Sequence, residues 1–156
     1  MKKNLGLTFV EVLLTISIAA IIAAMGFSAF SQWRANVTLV NQVDELKSKI
    51  IEIRQFAISA AGEKNWGIHF EAEQYIIFSG SVYNVADPNN QVVELKGVLL
   101  INPATSLANG GGGFSQNLIF TKFTGSTFNT GTLQFVDEGT GEISRTLNID
   151  NLGKIN

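Results

Sequence analysis

The sequence predicts an α+β chain. One long N-terminal helix, half transmembrane and half amphipathic, is expected to pack on an antiparallel β-sheet domain. Three observations carry this. Residues 7–30 hold a single ionisable side chain, Glu11. Residues 40–57 repeat apolar positions at spacings of three and four. Beyond Gly62 the pattern changes to short apolar runs separated by Gly, Pro, Asn and Asp.

Composition narrows the function classes. Of 156 residues, 46% are hydrophobic and 15% charged. About 25% charged is usual, so an unusually apolar segment is present. The formal net charge of −2 argues against a surface given over to nucleic acid. There is no Cys, which excludes disulfides, thiolate metal sites and thiol catalysis. With one His, a His-based zinc site would need other partners.

The first element is the apolar run. As a helix, residues 7–30 reach about 36 Å, enough for the ~30 Å hydrocarbon core. The run holds 12 Leu, Ile, Val or Phe residues. Together they favour insertion by roughly 4 to 7 kcal/mol, against about 2.5 to 3.5 kcal/mol for a lone acid at full depth. Insertion therefore wins with Glu11 present. Lys2 and Lys3 precede the run and Arg34 follows it, which places residues 1–6 in the cytoplasm. Trp33 beside Arg34 suits an interfacial anchor.

Three readings fit this run. It is a secretory signal peptide cut near Ala23-Ala24 or Ser28-Ala29, or a plain single-span anchor. The third starts from Gly6 and Glu11. A cut after Gly6 leaves the apolar segment attached and creates an α-amino group at Leu7. An intramembrane carboxylate calls for a partner, and the Leu7 amine of a neighbouring chain would be one. Glu11 would then be an assembly device.

The second element spans residues 31–61. Val40, Val43, Leu46, Ile50, Ile53 and Ala57 form one stripe, with Asn41, Asp44, Glu45, Ser48, Glu52 and Gln55 opposite. The stripe is too short to favour a coiled coil, so a helix packed on a sheet is expected. Gly62 is expected to end it with a left-handed turn. Residues 7–61 would make one helix of about 80 Å.

Strands follow. Trp66-Gly67-Ile68-His69-Phe70 and Gln74-Tyr75-Ile76-Ile77-Phe78 flank Glu71-Ala72-Glu73 as a hairpin. Asp87-Pro88-Asn89-Asn90 is a turn. Residues 91–101 read as a Val- and Leu-rich strand with a bulge at Gly97. Residues 108–113, with four consecutive Gly, read as a flexible loop. Residues 117–123, 132–136 and 143–149 read as three more strands, the last two joined by Glu138-Gly139-Thr140-Gly141. Residues 153–156 close the chain as a short final strand. Six or seven strands after one long helix indicate an antiparallel sheet on that helix.

Lys2-Lys3-Asn4-Leu5-Gly6-Leu7-Thr8-Phe9-Val10-Glu11 resembles the class III leader of type IV pilins and type II secretion pseudopilins. The resemblance implies that a prepilin peptidase cuts between Gly6 and Leu7 and methylates Leu7, that Glu11 serves assembly, and that the fold is the pilin-like lollipop. Leu7 stands where Phe or Met is usual. Gly26 and Ser28 lie where many pilins carry a helix-bending Pro, so Gly26 would supply the flexible point. Arg54-Gln55-Phe56-Ala57-Ile58, the two hairpin strands, Gly125, Gly131-Thr132-Leu133, Arg145-Thr146-Leu147-Asn148-Ile149 and Gly153-Lys154-Ile155 resemble the GspH/FimT group of minor pilins.

Other chemistry is thin. His69 lies on an expected strand, where a lone His is most often packed or at the surface. Residues 110–113 lack the Gly-Lys-Ser/Thr ending of a phosphate cradle. Asp137, Glu138 and Glu142 surround a glycine turn without EF-hand spacing. Some FimT-like minor pilins bind DNA, which implies a basic C-terminal patch. Here the ending Gly153-Lys154-Ile155-Asn156 has one cation, and residues 8–156 hold nine basic against thirteen acidic side chains, a net of −4. Lys122, Arg145 and Lys154 would be the residues left for such a role, and nucleic acid is not an expected partner.

The expected organisation is a leader at 1–6, a transmembrane assembly helix at 7–30, its amphipathic continuation at 31–61 and an exported β-rich domain at 62–156. The expected function is that of a structural minor pilin or pseudopilin subunit, not an enzyme. It would be assembled into a type II secretion pseudopilus or type IV pilus. No catalytic residue, metal or cofactor is assigned. The implied partners are other pilins, the prepilin peptidase and an inner-membrane assembly platform. The implied place is the bacterial cytoplasmic membrane, single-pass, with the C-terminal domain outside the cytoplasm. The competing expectation is a membrane-anchored exported binding module, for DNA uptake or adhesion.

Overall fold

The computed structural model describes residues 8–139, 141–142 and 144–156. A helix, α1 (Phe9–Ile58), runs for 50 residues. It is shared by two compact units, Met1–Arg34 and Ala35–Asn156.

In the second unit the buried stripe of α1 is Leu39, Val43, Leu46, Ile50, Ile53 and Ala57. Leu39 heads it instead of Val40, which is only half-buried. Leu39 lies four and seven positions before Val43 and Leu46, on their meridian, whereas Val40 is turned about 100° further round. The residues expected on the opposite face, from Asn41 to Gln55, are all exposed.

The helix ends at Ile58, short of the expected Ala61. Ala60 takes the left-handed conformation (φ 51°) ahead of Gly62 (φ 67°), which sits in a short 3₁₀ turn, Ala61–Glu63. The Trp66 indole N–H donates to the Ala61 carbonyl at 3.0 Å. That bond holds the reversal close against the first strand, so the chain leaves the helix early.

Nine strands follow among the described residues: β1 (Trp66–Phe70), β2 (Gln74–Ser79), β3 (Gln91–Glu94), β4 (Val98–Ile101), β5 (Leu107–Asn109), β6 (Phe114–Ser115), β7 (Asn117–Phe120), β8 (Asn129–Asp137) and β9 (Ser144–Ile149). The β1–β2 hairpin is as expected, with Ile68 opposite Ile77. The single sheet is not. One antiparallel sheet has the order β3-β2-β1-β7, and a second is built around β8. The long β8 pairs β5 at its start and β4 at its end along one edge, and β9 along the other.

Three expected elements change accordingly. Residues 91–101 are two strands in different sheets, and Gly97 (φ 72°) is in the turn between them, not a bulge. Residues 108–113 are the tip of the β5–β6 hairpin. The strand from 117 stops at Phe120, because the Phe123 N–H leaves to the Ala57 carbonyl at 2.9 Å. The chain end makes one bridge, Ile155 to Ile149. Helix and both sheets share one core, including Ile50, Ile68, Tyr75, Phe120, Leu133 and Phe135.

Three residues far apart in sequence close this core at the end of α1. Arg54 Nε donates to the Gly125 carbonyl at 3.0 Å. Gly125 and Gly153 have φ of 62° and 71°. A Cβ on Gly153 would fall 2.7 Å from the Gly125 oxygen and 2.8 Å from the Phe120 ring. Gly153→Ala is therefore expected to cost about 2 kcal/mol or more. Gly112→Ala (φ 97°, open space around it) carries the backbone cost without the overlap. Thermal unfolding of the two variants checks the order: Gly153→Ala should have the lower midpoint.

Tyr75 lies in the core with its hydroxyl buried and without a hydrogen-bond partner among the described residues. Burial, with Glu45 and Glu52 adding to it, pushes its pKa up to about 12. The unfolded phenol ionises near pH 10. Stability is then intact below pH 10 and lost as pH rises toward 12, by up to about 1.4 kcal/mol per unit. Tyr75→Phe should remove that slope without lowering neutral-pH stability, since no bond is lost. Denaturant titrations at pH 9 and 11 read both effects.

Candidate functional site

The first unit presents an apolar surface that is exposed among the described residues. An 18-residue window of α1 has a mean hydropathy of 2.3 and none of it is buried. Phe9 and Phe27, near its ends, are 77% and 80% exposed. The helix is long and apolar enough to cross a membrane.

The polar groups inside this stretch are dealt with locally. Thr15 Oγ1 donates to the carbonyls of Glu11 and Val12 at 3.0 and 2.8 Å. Ser17 Oγ donates to the Leu13 carbonyl at 2.7 Å. Such back-bonding hides a hydroxyl at little cost to the helix. Thr8 caps the helix: the Glu11 N–H donates to Thr8 Oγ1 at 3.3 Å, and the Val12 N–H to the Thr8 carbonyl at 3.2 Å. The Glu11 carboxylate is different. Its side chain has no hydrogen bond or ion pair among the described residues, in a stretch whose only other polar side chains are hydroxyls bonded to the helix backbone.

The cap is a feature that the sequence analysis missed, although the signal was present. Thr8-Phe9-Val10-Glu11 has the Thr-x-x-Glu spacing of a capping box, in which the N-cap hydroxyl accepts from the N–H three residues on. Glu11 also stands in the first turn of α1, where the helix dipole favours a negative charge. Two local effects thus hold a carboxylate at the helix start without giving it a partner.

Gly6 and Leu7 lie outside the described residues. Gly26 leaves α1 unbroken and has open space around it. Trp33 is exposed and its ring lies tilted against Phe30, with ring centres 5.8 Å apart.

The three cations weighed for nucleic acid do not form a patch. Lys122 stands over the Phe123 ring at 5.5 Å, and its Nζ donates to the Glu63 carbonyl. Arg145 borders a small groove beside Asp44 and Lys47. Lys154 sits in the C-terminal turn, its N–H donating to Asp150 Oδ1 at 2.8 Å. Each has an acidic residue near it. His69 is packed: its ring stacks on Tyr83 at 4.0 Å and its Nδ1 pairs with Asn117 Oδ1 at 2.7 Å. Asp137 accepts from the Gly139 N–H at 3.1 Å, which shapes the turn before β9. No three acidic or His side chains converge as metal ligands among the described residues.

No protein-family model matches the chain, and no curated protein or solved structure matches it either.

Two lysines on the uncovered stretch test what it does. Leu14→Lys with Ile18→Lys would cost about 5 to 7 kcal/mol at mid-bilayer, as much as the whole segment supplies. The double variant should leave the membrane pellet on alkaline extraction, and the unaltered chain should stay in it.

Proposed function

We propose that this chain is a structural minor pilin or pseudopilin subunit of the GspH/FimT type. A prepilin peptidase cuts it between Gly6 and Leu7 and methylates Leu7. The remaining chain is held in the bacterial cytoplasmic membrane by residues 7–30, with residues 62–156 outside the cytoplasm. Assembly packs the apolar helices of successive subunits together in a pilin-like, lollipop layout, into a type II secretion pseudopilus or a type IV pilus. The observation that carries this is the Glu11 carboxylate, which has no partner among the described residues and stands in a helix stretch whose apolar window is wholly exposed there.

The physical argument concerns register. Apolar helices alone have little to stop them sliding along one another. One polar pair fixes the offset, because every other offset strands a charge in an apolar setting. The Leu7 amine of a neighbouring subunit is the cation that processing would create. Type, spacing and depth of the two groups support the pairing.

A second reading is an anchored binding module. It draws on Phe114 and Phe128, both exposed near the β5–β6 hairpin. The mass of the mature N-terminus separates the two. Methylated Leu7 is expected. A start at Met1 favours the anchored module, and a start beyond residue 25 a secreted one. Glu11→Ala should insert in the membrane normally and fall roughly tenfold or more in sheared filaments. Normal incorporation of that variant refutes the pairing.

A further inference from the structure

Two of the sheet edges in the second unit, β3 and β9, have outward backbone groups without a partner among the described residues, and they lie on opposite flanks of α1. The first is β3, the outer strand of its sheet. The Leu95 N–H donates inward to the Glu73 carbonyl at 2.8 Å. Odd positions there turn their amides to β2, so even positions turn outward. Of the outward row, the Lys96 N–H is taken by Gln42 Oε1 at 3.2 Å. Val92 and Glu94 have no backbone partner on that side among the described residues, and Val92 is 58% exposed.

The second edge is β9, which has β8 on one side only. Asn148 and Asn156 exchange both backbone hydrogen bonds at 3.0 Å. This shows that even positions of β9 face outward. Ser144 and Thr146 are then the open positions, and no described residue bonds them on that side. Each edge is thus capped at one end and open for two outward residues.

The flanks carry different charged groups. Between β3 and α1 lies a groove of about 480 Å³ lined by Glu45 and Glu94, with Lys96 at its end. Between β9 and α1 lies a smaller groove of about 140 Å³ lined by Lys47 and Arg145, with Asp44 beside them. The first sets two carboxylates against one cation, and the second brings Lys47 and Arg145 together with Asp44 and the last residue, Asn156. Gln42 and Glu45 leave the buried stripe of α1 on one side, Asp44 and Lys47 on the other.

We infer that the β3 edge of one copy receives the β9 edge of a second copy as an added strand, head to tail. Strand addition satisfies the outward amides of both edges. It brings Arg145 and Lys47 of one copy against Glu45 of the next, on the helix-bearing side of the joined sheets. Because the two surfaces differ, the contact is head-to-tail and leaves a free edge of each kind for a further copy. The open stretch is short, so the contact is weak alone and acts between chains already concentrated by their N-terminal helices. The inference rests on the assembly reading above and adds a second contact surface to it.

The chain has no Cys, so introduced pairs report without background. The probe is the full chain in phosphatidylethanolamine and phosphatidylglycerol vesicles, under mild oxidant, uncut and after peptidase treatment. Val92→Cys with Thr146→Cys in one chain should give a ladder of covalent dimers, trimers and higher species. Each single variant should give none. Glu94→Cys with Ser144→Cys is the second pair, should the first disturb folding. Glu45→Arg should lower the ladder about fivefold, and Glu45→Arg with Arg145→Glu should restore it. A dimer from Val92→Cys alone means that like edges meet, which overturns the head-to-tail contact. So does the absence of covalent species from both pairs, on cut and uncut chain alike. Neither result depends on whether Leu7 becomes methylated, which tests the assembly reading separately.

Discussion

A carboxylate on an uncovered apolar helix is the constraint from which the rest follows. The segment around Glu11 has no core of its own to enter, because none of its apolar window is buried by the chain. Its hydroxyls turn back to the helix backbone, so they make no demand on the surroundings. Glu11 does make one. In water a lone carboxylate is cheap, and against lipid or packed leucines it is not. The apolar side chains and the acid therefore ask for different environments, and the cationic mate proposed above would satisfy both.

The second unit answers a separate problem. A chain without disulfides must be closed by packing. It does so with one helical stripe against two sheets, and β8 is long enough to receive β4 and β5 on one edge and β9 on the other. Arg54, Gly125 and Gly153 lock the chain end onto the last turns of α1. These three belong to stretches that carry the resemblance to GspH/FimT minor pilins, and the fold gives them a shared mechanical role. Compatibility with a pilin-like layout rests on this α+β arrangement.

The β3 and β9 edges keep outward backbone groups after that closure, and different charged side chains stand beside them. A domain with two such unlike edges is suited to repetition. That property belongs to the second unit and is independent of the apolar helix. An assembled chain would then hold together through two kinds of contact: apolar packing with one ion pair, and polar strand pairing at the surface.

Local pattern made much of this legible. The unbroken run of apolar residues, the three-and-four spacing of 43, 46, 50, 53 and 57, and the β1–β2 hairpin are all consequences of side-chain period, which depends on neighbours in sequence alone. The Thr8 cap was equally readable from its spacing and was overlooked. What the sequence could not settle depends on partners distant in the chain. Residues 91–101 look like one strand, yet Gly97 divides them between sheets. Residues 108–113 look like a loop, yet Leu107 finds Gly131 and forms a strand there. Phe120 ends β7 because Ala57, more than sixty residues earlier, takes the Phe123 amide. Composition and periodicity thus determined which segments are helix, strand or apolar span. Only the tertiary structure decided which strands meet, which glycines bear load and which edges stay open, because backbone hydrogen bonds between strands carry no sequence label until the chain is folded.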